Sequence, residues 1–215
     1  MYAAPAKRRY AKRLSPADRR EQLLDAAMRI VADAGFGEVS IAAVAERADV
    51  TRPVVYDCFG SRDELLDQLI RRETGRMGAA VARAMAELTD PGGRDRASML
   101  RAALERFLAE VRAVPDSWRL VYFPIDGVPP ALRERVARSR DDLRIPLRQA
   151  LSEWLADHPA AAAQVNLDVL VRLVQGLIQT GARLVLDDPE RFDSARVLTL
   201  VDYLFTDQAE RHENG

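Results

Sequence analysis

SIAAVAERADVTRPVVYDCF, residues 40–59, reads as two short helices joined by a tight turn. Ser40 is a good N-cap, and Ile41, Val44, Ala45 and Ala48 then repeat on one helical face. Ala48-Asp49-Val50 makes the turn, with Asp49 where a left-handed backbone is expected, a conformation Asp tolerates better than most residues with a side chain. Thr51 is expected to cap the second helix. Pro53 falls in its first turn, where a missing N–H costs nothing, and Val54, Val55 and Phe59 are expected to point inward. Two short helices at a steep angle with a three- to four-residue turn form a helix-turn-helix, whose second helix enters the DNA major groove.

Gly35-Phe36, Ser40, Ile41, Val44-Ala45, Ala48, Val50-Thr51, Val55-Tyr56, Phe59 and Ser61-Arg62 extend this pattern without gaps. Together, over residues 15–70, they resemble the DNA-binding domain of the TetR family of bacterial transcriptional regulators. Four positions depart from that family's pattern: Asp49 replaces the usual Gly, Pro53 a more flexible residue, Cys58 the common His and Arg62 a Lys. The resemblance implies an N-terminal three-helix DNA-binding domain joined by a long fourth helix to a helical domain that binds an effector and dimerises. It also implies a phosphate contact from the Tyr56 hydroxyl and a dimer built as a four-helix bundle from the C-terminal helix pair. Repression of a palindromic operator, relieved by a small molecule, is that family's usual outcome.

At 215 residues the chain is long enough for one or two domains with a sizeable core. The formal net charge is −1, yet Lys7, Arg8, Arg9, Lys12, Arg13, Arg19 and Arg20 face only Asp18 within the first twenty residues. Residues 1–14, without apolar periodicity, read as a flexible basic arm. Arg8, Arg9, Lys12 and Arg13 either touch phosphate or the minor groove, or form a solvated tail. Only Lys7 and Lys12 of the 32 basic residues are lysine, so arginine abundance alone does not indicate DNA. Cys58 is the single cysteine, which excludes an intrachain disulfide and suits a cytoplasmic location. The charged N-terminus leads into no apolar segment of a signal peptide, and no stretch of about eighteen uninterrupted apolar residues suggests a membrane span.

The domain organisation expected is arm 1–14, helix-turn-helix domain 15–60 and helical effector and dimerisation domain 61–215, all-α throughout. Ser15-Pro16 starts the first helix, with Leu23, Ala26, Ala27, Ile30, Val31 and Ala34 on one stripe and Gly35 ending it. Ser61-x-x-Glu64 forms a capping box opening a helix that runs to about Leu88, with Leu66, Leu69, Ile70, Met77, Val81, Met85 and Leu88 along one side. Gly75 and Gly78 interrupt it, either as points of bending or as seats for a neighbouring helix. Further helices are expected at 96–114, at 118–123 behind a cap at Asp116 or Ser117, and at 131–157, interrupted by Pro146. The last two, 164–186 and a helix capped by Ser194, are apolar around much of their circumference. That surplus suggests a subunit interface through Leu170, Val174, Leu177, Ile178, Gly181, Val197, Leu198, Val201, Leu204 and Phe205.

On DNA, Arg52 is the first choice for a base contact, because its fork matches guanine O6 and N7; a phosphate contact is the alternative. Beside it lies Pro53. Ser40, Thr51 and Arg62 offer phosphate contacts, and Asp57 can accept from a cytosine amino group. A largely apolar effector cavity would draw on Met85, Phe107, Trp118, Tyr122, Phe123, Leu147, Leu151 and Trp154, with Gln175 as a polar anchor; plain core packing is the competing role for each aromatic. His158 and His212, the two histidines, with one cysteine make neither a metal set nor a catalytic triad, so no catalytic residue, metal or cofactor is expected. The competing class is a helical small-molecule carrier or interaction module that does not bind DNA specifically.

Overall fold

The computed structural model of the protein describes residues 14–89, 96–122, 133–134, 137–138, 141, 144–156 and 159–199, and no strand occurs among them. The chain divides into two compact units, Met1–Leu69 and Ile70–Gly215. The division falls inside a helix rather than at residue 60, where the helix-turn-helix domain was expected to end.

In the first unit, α1 (Pro16–Ala34) starts as expected, Ser15 Oγ accepting from the Asp18 amide at 3.1 Å, and ends at Gly35, whose φ of 86° suits a residue without Cβ. A 3₁₀ turn, Phe36–Glu38, leads to α2 (Ile41–Arg47) and then α3 (Arg52–Cys58). α1 packs on both α2 and α3. Leu23, Ala27, Val31, Phe36, Val44, Val55 and Phe59 are buried between them. Burying each of the larger side chains stabilises by about 1.5–3 kcal/mol relative to exposure. α4 (Arg62–Ala86) opens this unit's last segment, with Leu65, Leu66 and Leu69 buried. Its cap differs slightly from the expected box: Ser61 Oγ accepts from the Glu64 amide, but Glu64 Oε2 reaches the Gly60 amide rather than that of Ser61.

In the second unit α4 continues to Ala86 and tightens into a 3₁₀ turn, Glu87–Thr89. Its buried stripe here is Ile70, Glu73, Met77, Ala80 and Ala84, whereas Val81, Met85 and Leu88, expected inward, are half-buried. Small Ala side chains permit closer helix approach, so the larger ones turn to the flank. α5 (Arg96–Ala113) buries Phe107, Leu108 and Val111. α6 is Pro115–Tyr122, starting at the proline itself, so Asp116 and Ser117 lie inside its first turn rather than capping it.

Of the expected helix 131–157, residues 133, 134, 137, 138 and 141 are helical and α7 is Arg144–Ala156. Pro146 lies within α7, and residues 142 and 143, just before its first described residue, lie outside the described residues. After a short turn of helix, α8 (Pro159–Ala162), comes α9 (Leu167–Asp187), capped by Asn166 Oδ1 on the amides of Asp168 and Val169. α9 packs against α7 and α5. With mean hydropathy 1.4 over eighteen residues, it has the length and composition of a membrane span, which the search for an uninterrupted apolar run passed over. Residues 194–199 are helical, and their cap is Asp193, whose Oδ1 accepts from the Arg196 amide, not Ser194.

Candidate nucleic-acid interface

The turn between α2 and α3 closes through two backbone bonds, Asp49 N–H to Glu46 O at 3.2 Å and Val50 N–H to Ala45 O at 2.9 Å, around Asp49 at φ 53°. This is a Schellman ending with Asp in the left-handed position usually held by glycine. Gln22 of α1 adds a third tie, its Nε2 donating to Ala48 O at 3.1 Å, while Arg19 donates to Gln22 Oε1 at 2.5 Å. Gln22 thereby satisfies a carbonyl that the end of α2 leaves unpaired. Its role escaped the sequence reading because a backbone partner leaves no mark in composition.

Held this way, α3 turns Val55 inward, half-buries Val54 and Cys58, and exposes Arg52, Pro53, Tyr56 and Asp57. Those four fall at i, i+1, i+4 and i+5, one continuous face of the helix. Tyr56 is 53% exposed, unusual for a large aromatic within a small helical unit. Thr51 occupies the N-cap position yet makes no side-chain capping bond, which corrects the expected cap and leaves its exposed hydroxyl to the outside. Ser40 is exposed too, and its Oγ caps α2 by accepting from the Ala43 amide at 3.1 Å.

Arg62 behaves differently from the other expected phosphate contacts. Its Nε donates to Val39 O at 2.5 Å and one terminal nitrogen donates to Phe36 O at 2.8 Å, while the other stands 3.8 Å from Asp63. The guanidinium is therefore turned onto the protein's own backbone, away from the role of an outward cation. The other expected contacts, Arg8, Arg9, Lys12 and Arg13, lie outside the described residues.

In the second unit, Phe107 and Trp118 meet edge to face with ring centroids 5.1 Å apart, both buried. They form packed core between α5 and α6. Met85, Leu147, Leu151 and Trp154 are half-buried. Gln175, expected as a polar anchor for the cavity, accepts from Arg144 Nε at 2.8 Å, and Arg144 pairs in turn with Asp141. The side chains of Tyr122 and Phe123 lie outside the described residues. Sequence reasoning missed Glu73, a fully buried carboxylate on α4 that Ser117 of α6 reaches.

Among the expected interface residues, Leu177 is 72% exposed, and Leu170, Val174, Ile178, Gly181 and Val197 are half-buried. Leu198 is buried within its own unit, and a Cβ on Gly181 would meet Val197 of the same chain at 3.7 Å, so neither presents the outward surface expected of it. The outward apolar face of α9 is instead Val169, Leu173 and Leu177, with Leu173 63% exposed. Val201, Leu204 and Phe205 lie outside the described residues.

Comparison with known proteins agrees with this geometry. Residues 23–69 match the model of bacterial regulatory proteins of the tetR family. The HTH-type transcriptional regulator BetI of Burkholderia mallei is 38% identical over 168 residues, 76% of this chain and 82% of that protein. The HTH-type transcriptional activator FasR of Mycolicibacterium smegmatis is 33% identical over 114 residues, and there the alignment spans half of each protein, 53% of this chain and 50% of FasR. A TetR-like transcriptional regulator from Rhodococcus sp. RHA1 superposes with a TM-score of 0.67 at 30% identity, over 89% of this chain and 97% of that one. The chain belongs to the TetR family and is a DNA-binding transcriptional regulator, not an enzyme.

Proposed function

We propose that the protein binds a palindromic operator as a homodimer, represses from it, and leaves it when a small apolar molecule binds the second unit. The observation that carries this reading is the exposed face of α3, where Arg52, Pro53, Tyr56 and Asp57 stand clear of the unit's core. Arg52 reads a guanine edge, Asp57 suits a cytosine amino group, and Tyr56, Thr51 and Ser40 contact phosphate. The outward Val169, Leu173 and Leu177 of α9 support dimerisation. Two copies then present their α3 helices one DNA turn apart, about 35 Å. The arm residues Arg8, Arg9, Lys12 and Arg13 add backbone charge, and such a protein works in the cytoplasm, where the chromosome lies.

The effector acts by binding better to a state whose α3 spacing does not fit the operator, so its differential affinity sets how far DNA binding falls. The half-buried apolar side chains Met85, Leu147, Leu151 and Trp154 support a molecule with a hydrocarbon body. FasR is an activator by name. Run-off transcription from the bound promoter, with and without protein, therefore decides the sign.

The test is selection from a random duplex pool, followed by affinity over a salt series. An inverted repeat should emerge, affinity should fall steeply with salt, and Arg52→Ala should relax one position at a cost of about 1–3 kcal/mol. No enrichment, with weak binding even at low salt, would return the protein to a carrier or interaction module. Fatty acids of increasing chain length, titrated into the operator complex, test the effector class; no release at any length would remove the apolar reading.

A further inference from the structure

We infer that Arg62 is a positioning residue that clasps the two ends of the helix-turn-helix together, and that it sets DNA affinity through that closure rather than by touching phosphate. This rests on the proposal that α3 is the DNA-reading helix.

The chain enters the motif through the 3₁₀ turn Phe36–Glu38 and Val39, and leaves it at Arg62, the first residue of α4. Arg62 spans both ends. Its Nε and one terminal nitrogen donate to Val39 O and Phe36 O at 2.5 and 2.8 Å, joining positions 23 and 26 apart in sequence. Phe36 and Val39 are themselves almost fully buried, so their carbonyls sit on backbone that core packing already holds.

Two features mark this as more than an incidental contact. A cation on the first turn of a helix faces the positive end of the dipole and is unfavourable there, so Arg62 needs compensating acceptors nearby, and the two carbonyls supply them. The second is geometric: a planar guanidinium can hold two carbonyls in a fixed relation, whereas a lysine ammonium is a point charge on a flexible stem. Asp63 does not compete strongly, since its carboxylate is 88% exposed and 3.8 Å away. Only 35% of the Arg62 side chain is exposed, and its Nε and one terminal nitrogen are already committed to the two carbonyls.

With the clasp open, the entry and exit of the motif move apart, and α3 is presented to DNA in the closed arrangement for a smaller fraction of time. Apparent affinity falls in proportion to that fraction. Sequence preference does not change, because the residues that read bases are untouched.

The experiment compares wild type, Arg62→Lys and Arg62→Gln as full-length proteins on the selected operator. Affinity is measured across a salt series well below each unfolding midpoint, with amide exchange read at Glu38 and Val39. Both variants should bind about tenfold more weakly, which corresponds to losing one charge-assisted hydrogen bond from the closed state. The salt slope and the selected sequence should match wild type, and the two amides should exchange faster. A slope reduced by about one in Arg62→Gln, with Arg62→Lys near wild type, would mean direct phosphate contact and overturn the inference. Lowered unfolding midpoints with unchanged affinity in the folded protein would reduce Arg62 to a stability role and overturn it as well. If wild type itself selects no sequence, the reading of α3 fails first and the clasp falls with it, a result separable from the other two.

Discussion

Ser117 Oγ donates to Glu73 Oε2 at 2.5 Å, and both side chains are shut away from solvent, at 5% and 0% exposure. The other carboxylate oxygen accepts from Arg72 Nε at 2.7 Å and Arg76 at 3.3 Å. A buried carboxylate is costly unless every lone pair finds a donor, and α4 and α6 here provide them. Ser117→Ala should lower stability by about 1–3 kcal/mol, because a charged acceptor then loses a donor without regaining water. Glu73→Ala should cost more, about 3–5 kcal/mol, since it also removes the carboxylate from beside the nearly buried Arg72. Urea denaturation checks both; equal stability in Ser117→Ala would mean the hydroxyl contributes nothing.

Acid should weaken the second unit through Glu110. Arg83 grips it with two nitrogens at 2.8 and 2.7 Å, and that hydrogen bonding holds the Glu110 carboxyl below the usual glutamate range. Desolvation works against this shift, while the charges of Arg83 and Arg106 reinforce it. A carboxyl with a lower pKa folded than unfolded takes up its proton more readily in the unfolded chain. Its stabilisation is complete above the unfolded value of 4.5 and disappears as pH falls through the folded value. Asp168, hydrogen-bonded by Arg148, shifts the same way. Denaturation midpoints measured downward from neutral pH should decline in this acid range, and Glu110→Gln should show a shallower decline than wild type.

Gly75 sits in the middle of α4 with nothing within 4 Å of where a Cβ would be. Among the described residues no neighbouring helix presses on it, so packing there does not account for the glycine. Gly75→Ala should stabilise the fold by about 0.5–1 kcal/mol, raising the thermal midpoint by about 2–4 °C per kcal/mol for a chain of this size. A lower midpoint would show that α4 needs the glycine's freedom. Operator release by effector, measured on the same variant, would then report whether bending of α4 belongs to the response.

Leu173 and Leu177, one turn apart on α9, are the most outward of its large apolar side chains. Replacing both with Asp should leave the monomer folded, since neither contributes to the core, and should shift the sedimentation of the proposed dimer to that of a monomer. Operator affinity should fall with it, because each half-site then binds alone. A double variant that still sediments as a dimer would place the interface on another surface.

Tyr56→Phe should weaken binding to every operator variant alike by about tenfold to a hundredfold, the worth of one hydrogen bond to a charged oxygen, with no change in the preferred sequence. Stability should be unaffected, since the ring is half exposed. Loss of preference at a single base position would move Tyr56 from the backbone to a base edge.

The helix-turn-helix was legible because three independent signals coincide there within twenty residues: the Ser40 cap, the left-handed Asp49 and the apolar spacing through Val44, Val55 and Phe59. Arg62 and Gln22 were not, since their partners are backbone carbonyls, and any residue supplies one. Glu73 was hidden by its own chemistry. It occupies the place in the series Leu66, Ile70, Met77, Ala80, Ala84 where period alone predicts a buried residue, yet a search for apolar side chains steps over a carboxylate. α9 failed in another way. A helix apolar on most sides does not reveal which side turns inward, and packing against α7 and α5 turns Val171, Ala182 and Val185 in and leaves Leu173 out.

Arg52 and Asp57 are the only charges on α3, and both are exposed, so its outward face is electrically balanced. Attraction to DNA of any sequence scales with positive charge laid along the backbone, and a balanced helix adds little of it. Capture and choice are then separate operations. On the proposed reading, charge elsewhere on the protein governs how quickly it arrives and how long it lingers on the wrong sequence, while α3 governs how long it stays at the right one. Asp57→Lys would make the protein stickier everywhere, lengthening its search of the chromosome without sharpening the address it seeks.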